Sequence, residues 1–368
     1  MKTKIMLCAG GTGGHLFPAE ALADELTKRG YAIELMSDER ADKYGSAFPA
    51  DQIHIIKSDT LRGRNPLKLL KTAVKLGLGT LQAWKIMRTK KPKVLVGFGG
   101  YPTFPPMFAA RLAGVPTILH EANAVMGRAN KMLAQNVKVI ASNFELKQLD
   151  GKLRDKMVVC GNPLRTKVLA QCGQAYRAPG KSEPLRLLVF GGSQGARVFS
   201  KLLPQALTLL SAEERRNIKL VQQCRPEDIE AVQACYAELG IEAELASFFQ
   251  DLPAKMAGAH LVVSRSGAMT VSELAALGRP AMLVPLPGAL DNDQKLNAQA
   301  LADAGGALMV EQKNLDGAQL ATHLRRFMQS PAELERMAAA ALEQGHLDAV
   351  DQLANIVEDV AGLRRPKN

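Results

Sequence analysis

The chain has 368 residues, 47% hydrophobic and 23% charged, with a net charge of +11 and a pI near 9.4. That length exceeds one average core and predicts two domains, while the ordinary composition excludes a disordered or low-complexity chain. Five cysteines without a C-x-x-C pair, and six histidines without an H-x-x-x-H pair, argue against a disulfide frame, a zinc ribbon or a histidine metal site.

The first apolar run, Ile5 to Ala9, reads as a buried strand that breaks into GGTGGH, Gly10 to His15. A helical pattern follows from Pro18 to Arg29 and closes at Gly30. Strand, glycine loop and helix form an arrangement in which backbone N–H groups face an anion, and glycine lets a phosphate approach the main chain. His15 adds a side chain suited to proton transfer near neutral pH. The same hexapeptide also fits a tight turn with an ordinary histidine. MKTKIMLCAGG has no apolar h-region, and no run approaches bilayer-spanning length. The expectation is a cytoplasmic protein, at most peripheral to a membrane.

Further strands are expected at Ala32–Ser37, Gln52–Ile56, Lys93–Phe98, Thr117–His120, Lys138–Ala141 and Met157–Cys160. Helices are expected over Phe108–Ala113 and Val125–Ala134. Between Asp59 and Glu121 there is no acidic residue, yet the span carries Arg62, Arg64, Lys68, Lys71, Lys75, Lys85, Arg88, Lys90, Lys91, Lys93 and Arg111. Such a stretch fits an anionic surface, either lipid headgroups or nucleic acid. Leu67, Leu70, Val74, Leu78, Leu81 and Trp84 fall near one helical face among those lysines, with Gly77 and Gly79 weakening the helix. A core-facing amphipathic helix is the alternative.

The second half begins again with an apolar strand, Leu185 to Phe190, that runs into GGSQGA, Gly191 to Ala196. Strands at Lys219–Gln223, Ala243–Ala246, Leu261–Ser264 and Ala281–Pro285 follow, with a helix over Thr270–Ala276. Two helices close the chain at Pro331–Gln344 and Leu347–Leu363. Short apolar strands alternating with helices read as α/β, with parallel sheets covered on both faces. The domains are expected at 1–163 and 164–346, with the last helix, about 347–363, packing back on the first. Ligands in such sheets sit beyond the C-terminal strand ends, so a cleft between two such faces is the expected active site.

SRSGAMTVSE, Ser264 to Glu273, places a strand end before a helix whose N-terminal amides could hold an anion and whose Glu273 could accept from a ribose diol. A capped helix with an acidic first turn explains the same residues. In DNDQKLNA, Gln294 and Asn297 are three apart, and their amides suit sugar hydroxyls. Asp291 and Asp293 form a D-x-D triplet, but no metal is expected. Arg165 follows GNPL and could clamp a phosphate. His120-Glu121-Ala122-Asn123 and Tyr101 lie at strand ends.

GGTGGH, GGY, HEAN, GNPLR, GGSQGA, SRSGAMTVSE and Q-x-x-NA, in this order and spacing, closely resemble the MurG family of bacterial peptidoglycan glycosyltransferases, family 28. The resemblance covers essentially the whole chain. It implies a GT-B fold of two Rossmann-like doubly wound domains with a cleft between them. It further implies inverting transfer of N-acetylglucosamine from UDP-GlcNAc to the C4 hydroxyl of undecaprenyl-pyrophosphoryl-MurNAc-pentapeptide, lipid I becoming lipid II, without a cofactor. By the same resemblance His15 is the general base. Thr12, Gly13, Gly14, Asn123, Arg165, Ser193, Phe249, Ala268, Met269, Thr270, Val271, Ser272, Glu273 and Gln294 would meet UDP-GlcNAc. Gly10, Gly11, Tyr101 and His120 would lie on the acceptor side. The basic stretch 62–93 would then meet an anionic membrane at the cytoplasmic face of the inner membrane rather than nucleic acid, with cell-wall synthesis and division proteins as candidate partners. Asp293 where some members have glutamine, and Pro102 and Phe104 after GGY, depart from the family pattern. The competing readings are a GT-B transferase with another lipid acceptor and a basic nucleotide-binding scaffold.

Overall fold

The protein is described by a computed structural model covering residues 2–40, 48–59, 66–180, 182–192 and 196–363. Arg62, Arg64, Ser193 and the side chains of Leu67 and Lys68 lie outside the described residues. The chain divides into two units, Met1–Arg165 with Leu347–Asn368, and Thr166–His346.

The first unit holds seven parallel strands: β1 (Lys4–Cys8), β2 (Ala32–Ser37), β3 (Gln52–Ile55), β4 (Leu95–Gly97), β5 (Thr117–Glu121), β6 (Val139–Ser142) and β7 (Met157–Val159), in the order β3-β2-β1-β4-β5-β6-β7. The second holds six: β8 (Leu185–Phe190), β9 (Ile218–Gln223), β10 (Ala243–Ala246), β11 (Leu261–Ser264), β12 (Ala281–Leu283) and β13 (Ala307–Met309), in the order β10-β9-β8-β11-β12-β13. Both orders reverse next to their first strand. This is the doubly wound arrangement, with its switch point between β1 and β4 in one unit and between β8 and β11 in the other. Strands buried on both faces need continuous apolar runs, and β1, β8 and β11 supply them. The sequence reading did not anticipate β13, a three-residue strand directly after a glycine pair.

Two helix starts correct the sequence reading. Helix α1 spans Gly13–Lys28, so His15 stands in its first turn instead of in a loop before Pro18. The Thr12 carbonyl accepts from the amides of His15 and Leu16, which closes that turn despite its two glycines. Helix α3 spans Phe104–Leu112, and Pro105 and Pro106 lie in its first turn. Proline is tolerated there because the first amides of a helix have no intrahelical acceptor.

Helix α2 spans Pro66–Lys90 without interruption and packs on α3. Ala83 and Met87 enter the core with Ile56 and Met107. Four residues of the predicted apolar stripe face outward, Leu70, Val74, Leu78 and Leu81 being between 48% and 63% exposed, whereas Trp84 packs against the core. The core-facing alternative therefore fails for those four residues. Gly79 has a specific reason to be glycine, because a Cβ there would stand 1.9 Å from the Lys57 carbonyl oxygen. The backbone after β3 passes that close to the helix.

The last helix, Ala349–Val360, packs against α1. Leu353, Ala354 and Val357 are fully buried in the same core as Ile5, Leu7 and Leu22. Burying Leu353 and Val357 contributes about 2 kcal/mol each by area. Arg29 closes the rim, donating to Asn355 at 2.8 Å, Asp351 at 3.0 Å and Glu358 at 3.1 Å.

Candidate active site

In the first unit the switch point gathers the ends of β1, β4 and β5. The Gly10 amide donates to the Gly99 carbonyl at 3.2 Å, tying the GGTGGH turn to the glycine pair after β4. Gly99 and Gly100 have φ of +94° and +80°, where a side chain is strained. The His15 imidazole lies against both glycines. A Cβ at Gly99 would approach Nε2 to 3.3 Å, and one at Gly100 would approach Nδ1 to 3.3 Å. Thr12 Oγ1 lies 3.0 Å from Nδ1 and fixes the ring from the other side. Burial, and secondarily the Arg40 charge, lowers the His15 pKa to about 4, so the ring is neutral across the physiological range. Arg40 pairs with Asp38 at 2.6 Å beside Gly11.

His120 and Glu121 end β5, fully out of solvent. His120 Nε2 lies 3.3 Å from the Gly161 carbonyl. A carbonyl only accepts, so the proton sits on Nε2. Burial outweighs that bond and lowers the His120 pKa to about 4. Glu121 organises the turn that follows it. Its Oε1 accepts from the amide of Asn123 at 3.0 Å and from Asn123 Nδ2 at 3.1 Å. Its Oε2 accepts from the Gly127 amide at 2.9 Å and from Asn130 Nδ2 at 2.7 Å. Burial pushes the Glu121 pKa up and the four donors pull it back, with burial the larger effect. The sequence reading sets Glu121 among the ligand-contacting groups expected at a strand's C-terminal end, and gives Asn130 no role. The available signal for the bracing by Glu121 was an acid at that strand end, directly before a polar turn. Tyr101 opens the short helical turn after Gly100. Arg165 stacks on Phe17 of α1, its guanidinium carbon 3.9 Å from the ring centroid.

In the second unit the equivalent positions follow β8 and β11. Gly192 takes φ of +83° in the GGSQGA turn. After β11 a helix spans Ala268–Leu277, with Gly267 at its N-cap. A helix N-terminus at the C-terminal end of a strand suits an anion. This helix carries Ala268, Met269, Thr270, Val271, Ser272 and Glu273, the last only 5% exposed. Arg265 does not face a ligand. Its guanidinium donates to the Val284 and Pro285 carbonyls, both at 3.0 Å, and to Gln312 at 2.7 Å, bracing the loop after β12.

Gln294 lies in the helix Asp293–Asp303. Its Oε1 accepts from the Leu286 amide at 3.0 Å, and its carbonyl accepts from Ser266 Oγ at 2.8 Å. Asn297 is fully buried and donates to the Ser266 carbonyl at 3.2 Å. It braces this turn, contrary to the sugar-facing role suggested by its spacing from Gln294. Phe249 is 7% exposed with Lys255 Nζ 5.0 Å from its ring centroid, whereas Phe248 is 66% exposed. Among the described residues no group of three or more His, Cys, Asp or Glu is placed to hold a metal ion.

Two doubly wound sheets with a glycine turn at each switch point are the arrangement of the GT-B fold. The family model of the glycosyltransferase family 28 N-terminal domain matches residues 5–142, and that of the C-terminal domain matches residues 186–353. The chain belongs to glycosyltransferase family 28. It is 52% identical over 357 residues to the UDP-N-acetylglucosamine--N-acetylmuramyl-(pentapeptide) pyrophosphoryl-undecaprenol N-acetylglucosamine transferase of Brucella abortus (strain S19), covering 97% of this chain and 94% of that one. The Brucella canis transferase of the same name is likewise 52% identical over 97% of this chain. Among solved structures, Acinetobacter baumannii MurG aligns at TM-score 0.79 and 29% identity, covering 97% of this chain and 99% of that one. The kitacinnamycin glycosyltransferase, at 17% identity and TM-score 0.72, shares the fold.

Proposed function

We propose that the chain transfers N-acetylglucosamine from UDP-GlcNAc to the C4 hydroxyl of the N-acetylmuramyl-pentapeptide on undecaprenyl pyrophosphate, with inversion at the anomeric carbon. The carrying observation is 52% identity along 97% of the chain to enzymes named for that transfer. The acceptor hydroxyl gives its proton to His15 as its oxygen bonds the anomeric carbon, and the bond to the UDP oxygen breaks. The leaving diphosphate takes the negative charge. The N-terminal end of the helix after Gly267, together with Arg165, neutralises it. Glu273 holds the ribose, and Gln294 and Asn123 read the sugar hydroxyls. A pyrophosphate at the GGTGGH turn raises the His15 pKa from about 4 toward neutrality, since a nearby anion favours imidazolium. The base thus gains proton affinity when the acceptor is bound.

The exposed stripe Leu70, Val74, Leu78 and Leu81, flanked by exposed Lys71, Lys75 and Lys85, supports seating of α2 on an anionic lipid surface. Phe108 and Leu112 on the adjoining α3 are 38% and 59% exposed and extend the apolar area. No helix among the described residues is long and apolar enough to cross a membrane. Such seating places the enzyme where a lipid-linked acceptor is found, at the inner membrane's cytoplasmic face. Cell-wall synthesis and division proteins working on the same surface are the partners this reading brings.

Incubation of the purified chain with UDP-GlcNAc and a lipid I analogue tests the reaction. The expected product is the β-linked disaccharide. Its absence, with transfer to a different lipid acceptor instead, would move the chain to another GT-B specificity.

A further inference from the structure

We infer that Gln223 is a positioning residue that couples the two ends of the nucleotide subsite. This rests on the placement of UDP-GlcNAc in the second unit proposed above. Gln223 is the last residue of β9, which lies between β8 and β10 in the sheet. Its side chain is 6% exposed and reaches both neighbouring strand ends. Its Oε1 accepts from the amide of Gly191, the first residue after β8, at 3.1 Å. Its Nε2 donates to the carbonyl of Ser247, the first residue after β10, at 3.0 Å. A backbone amide only donates and a carbonyl only accepts, so these partners fix the orientation of the side-chain amide.

The family resemblance implies different roles for the two loops, GGSQGA meeting the donor diphosphate and Phe249 lying beside uracil. Gly191 is the first residue of the one segment, and Ser247 stands two residues before Phe249 in the other. A buried amide bonded to both holds them at one separation. Gln222, the preceding residue, points to the opposite face and accepts from Tyr236 at 2.5 Å, so it does not share this role. An apolar residue at 223 would leave one amide and one carbonyl without their partner. A ligand spanning both loops would then have to order them on binding, which lowers its affinity. A ligand that engages one loop would lose less.

The test compares UDP with uridine by calorimetry on the full chain, using wild type, Gln223→Met and Gln223→Glu. Methionine keeps the volume and removes both hydrogen bonds. Glutamate can accept from Gly191, but it opposes the Ser247 carbonyl and adds a negative charge near the diphosphate. We expect the Gln223→Met variant to bind UDP about tenfold more weakly and uridine less than about threefold more weakly. In turnover, KM for UDP-GlcNAc should rise about tenfold while kcat and the acceptor KM stay within about threefold. The Gln223→Glu variant should lose more UDP affinity than Gln223→Met, and it decides the matter if Gln223→Met does not fold. Equal losses for UDP and uridine, or a lowered Tm with unchanged KM, would reduce Gln223 to packing and overturn the inference. If wild type binds UDP and both variants match it, the Gln223 role alone fails. If wild type binds neither UDP nor uridine, the placement of the nucleotide fails and the inference goes with it.

Discussion

The guanidinium carbon of Arg165 sits over the Phe17 ring, 3.9 Å from its centroid. The contact holds a planar cation beside the first turns of α1. Lysine has the charge but neither the plane nor the fork. Arg165→Lys should therefore lower kcat/KM about 10- to 100-fold, within the range of a lost charge-assisted clamp. Phe17→Leu should produce a smaller loss of about threefold through the same residue. Steady-state kinetics on the three proteins would show this ordering, and equal activity of Arg165→Lys and wild type would remove the clamp.

A second expectation concerns pH. The His15 pKa is lowered to about 4 in the free protein. The acid limb of kcat/KM, which reports the free enzyme, should fall near that value. The acid limb of kcat, which reports the bound complex, should lie at higher pH because the acceptor pyrophosphate stabilises imidazolium. His15→Ala should cut kcat by about 100-fold or more while leaving UDP affinity unchanged. Coincident acid limbs for the two parameters would contradict the anion at the GGTGGH turn.

The same burial has a consequence for stability. His120 has a folded pKa of about 4, below its ordinary value of 6.5. A group lowered on folding contributes stability that is complete above the unfolded pKa and is lost as pH falls toward the folded one. Between about pH 6.5 and 4, wild type should lose stability with each unit, and His120→Gln should flatten that slope by about 1 kcal/mol per unit. Urea unfolding at several pH values measures it.

Glu121 accepts four hydrogen bonds from Asn123, Gly127 and Asn130. Glu121→Gln would turn an NH2 group toward two of those donors. The expected cost is about 2 kcal/mol of stability, with a loosened Asn123 turn and a raised KM for UDP-GlcNAc. Thermal unfolding and donor kinetics together would detect both effects.

The apolar stripe on α2 is tested with Leu78→Glu and Leu81→Glu, at positions 48% and 50% exposed. Tm should change by less than about 2 °C, since no core contact is lost. Binding to vesicles containing anionic lipid should fall about tenfold or more, while turnover of a soluble acceptor is kept. Unchanged vesicle binding would place the membrane contact elsewhere.

Much of the fold is legible in the sequence for a simple reason. Strands buried on both faces must be apolar runs, and β2, β8 and β11 stand where those runs are. The glycine turns mark the switch points because positive φ and close approach leave few other choices. What the sequence hid are relationships across the chain. Nothing near Gly79 shows that Lys57 passes against it. Pro18, Pro105 and Pro106 read as helix boundaries, although a first turn tolerates proline and α1 accommodates Pro18 after Gly14. The bracing by Glu121, Gln223, Arg265 and Asn297 also escaped notice, since a buried polar side chain carries no periodic signal.

The return of the last helix to the first unit has a consequence for synthesis on the ribosome. Residues 166–346 form the second unit and are made before Ala349–Val360 exists. Until that helix emerges, the α1 surface that will cover Leu353, Ala354 and Val357 is open to water. The first unit is thus begun first and finished last, and its nascent form exposes apolar surface while the second unit folds. A chain stopped shortly after residue 346 would keep every element of the second unit and lose the closing helix of the first. Its defect would therefore appear at the N-terminal sheet, far in sequence from the cut.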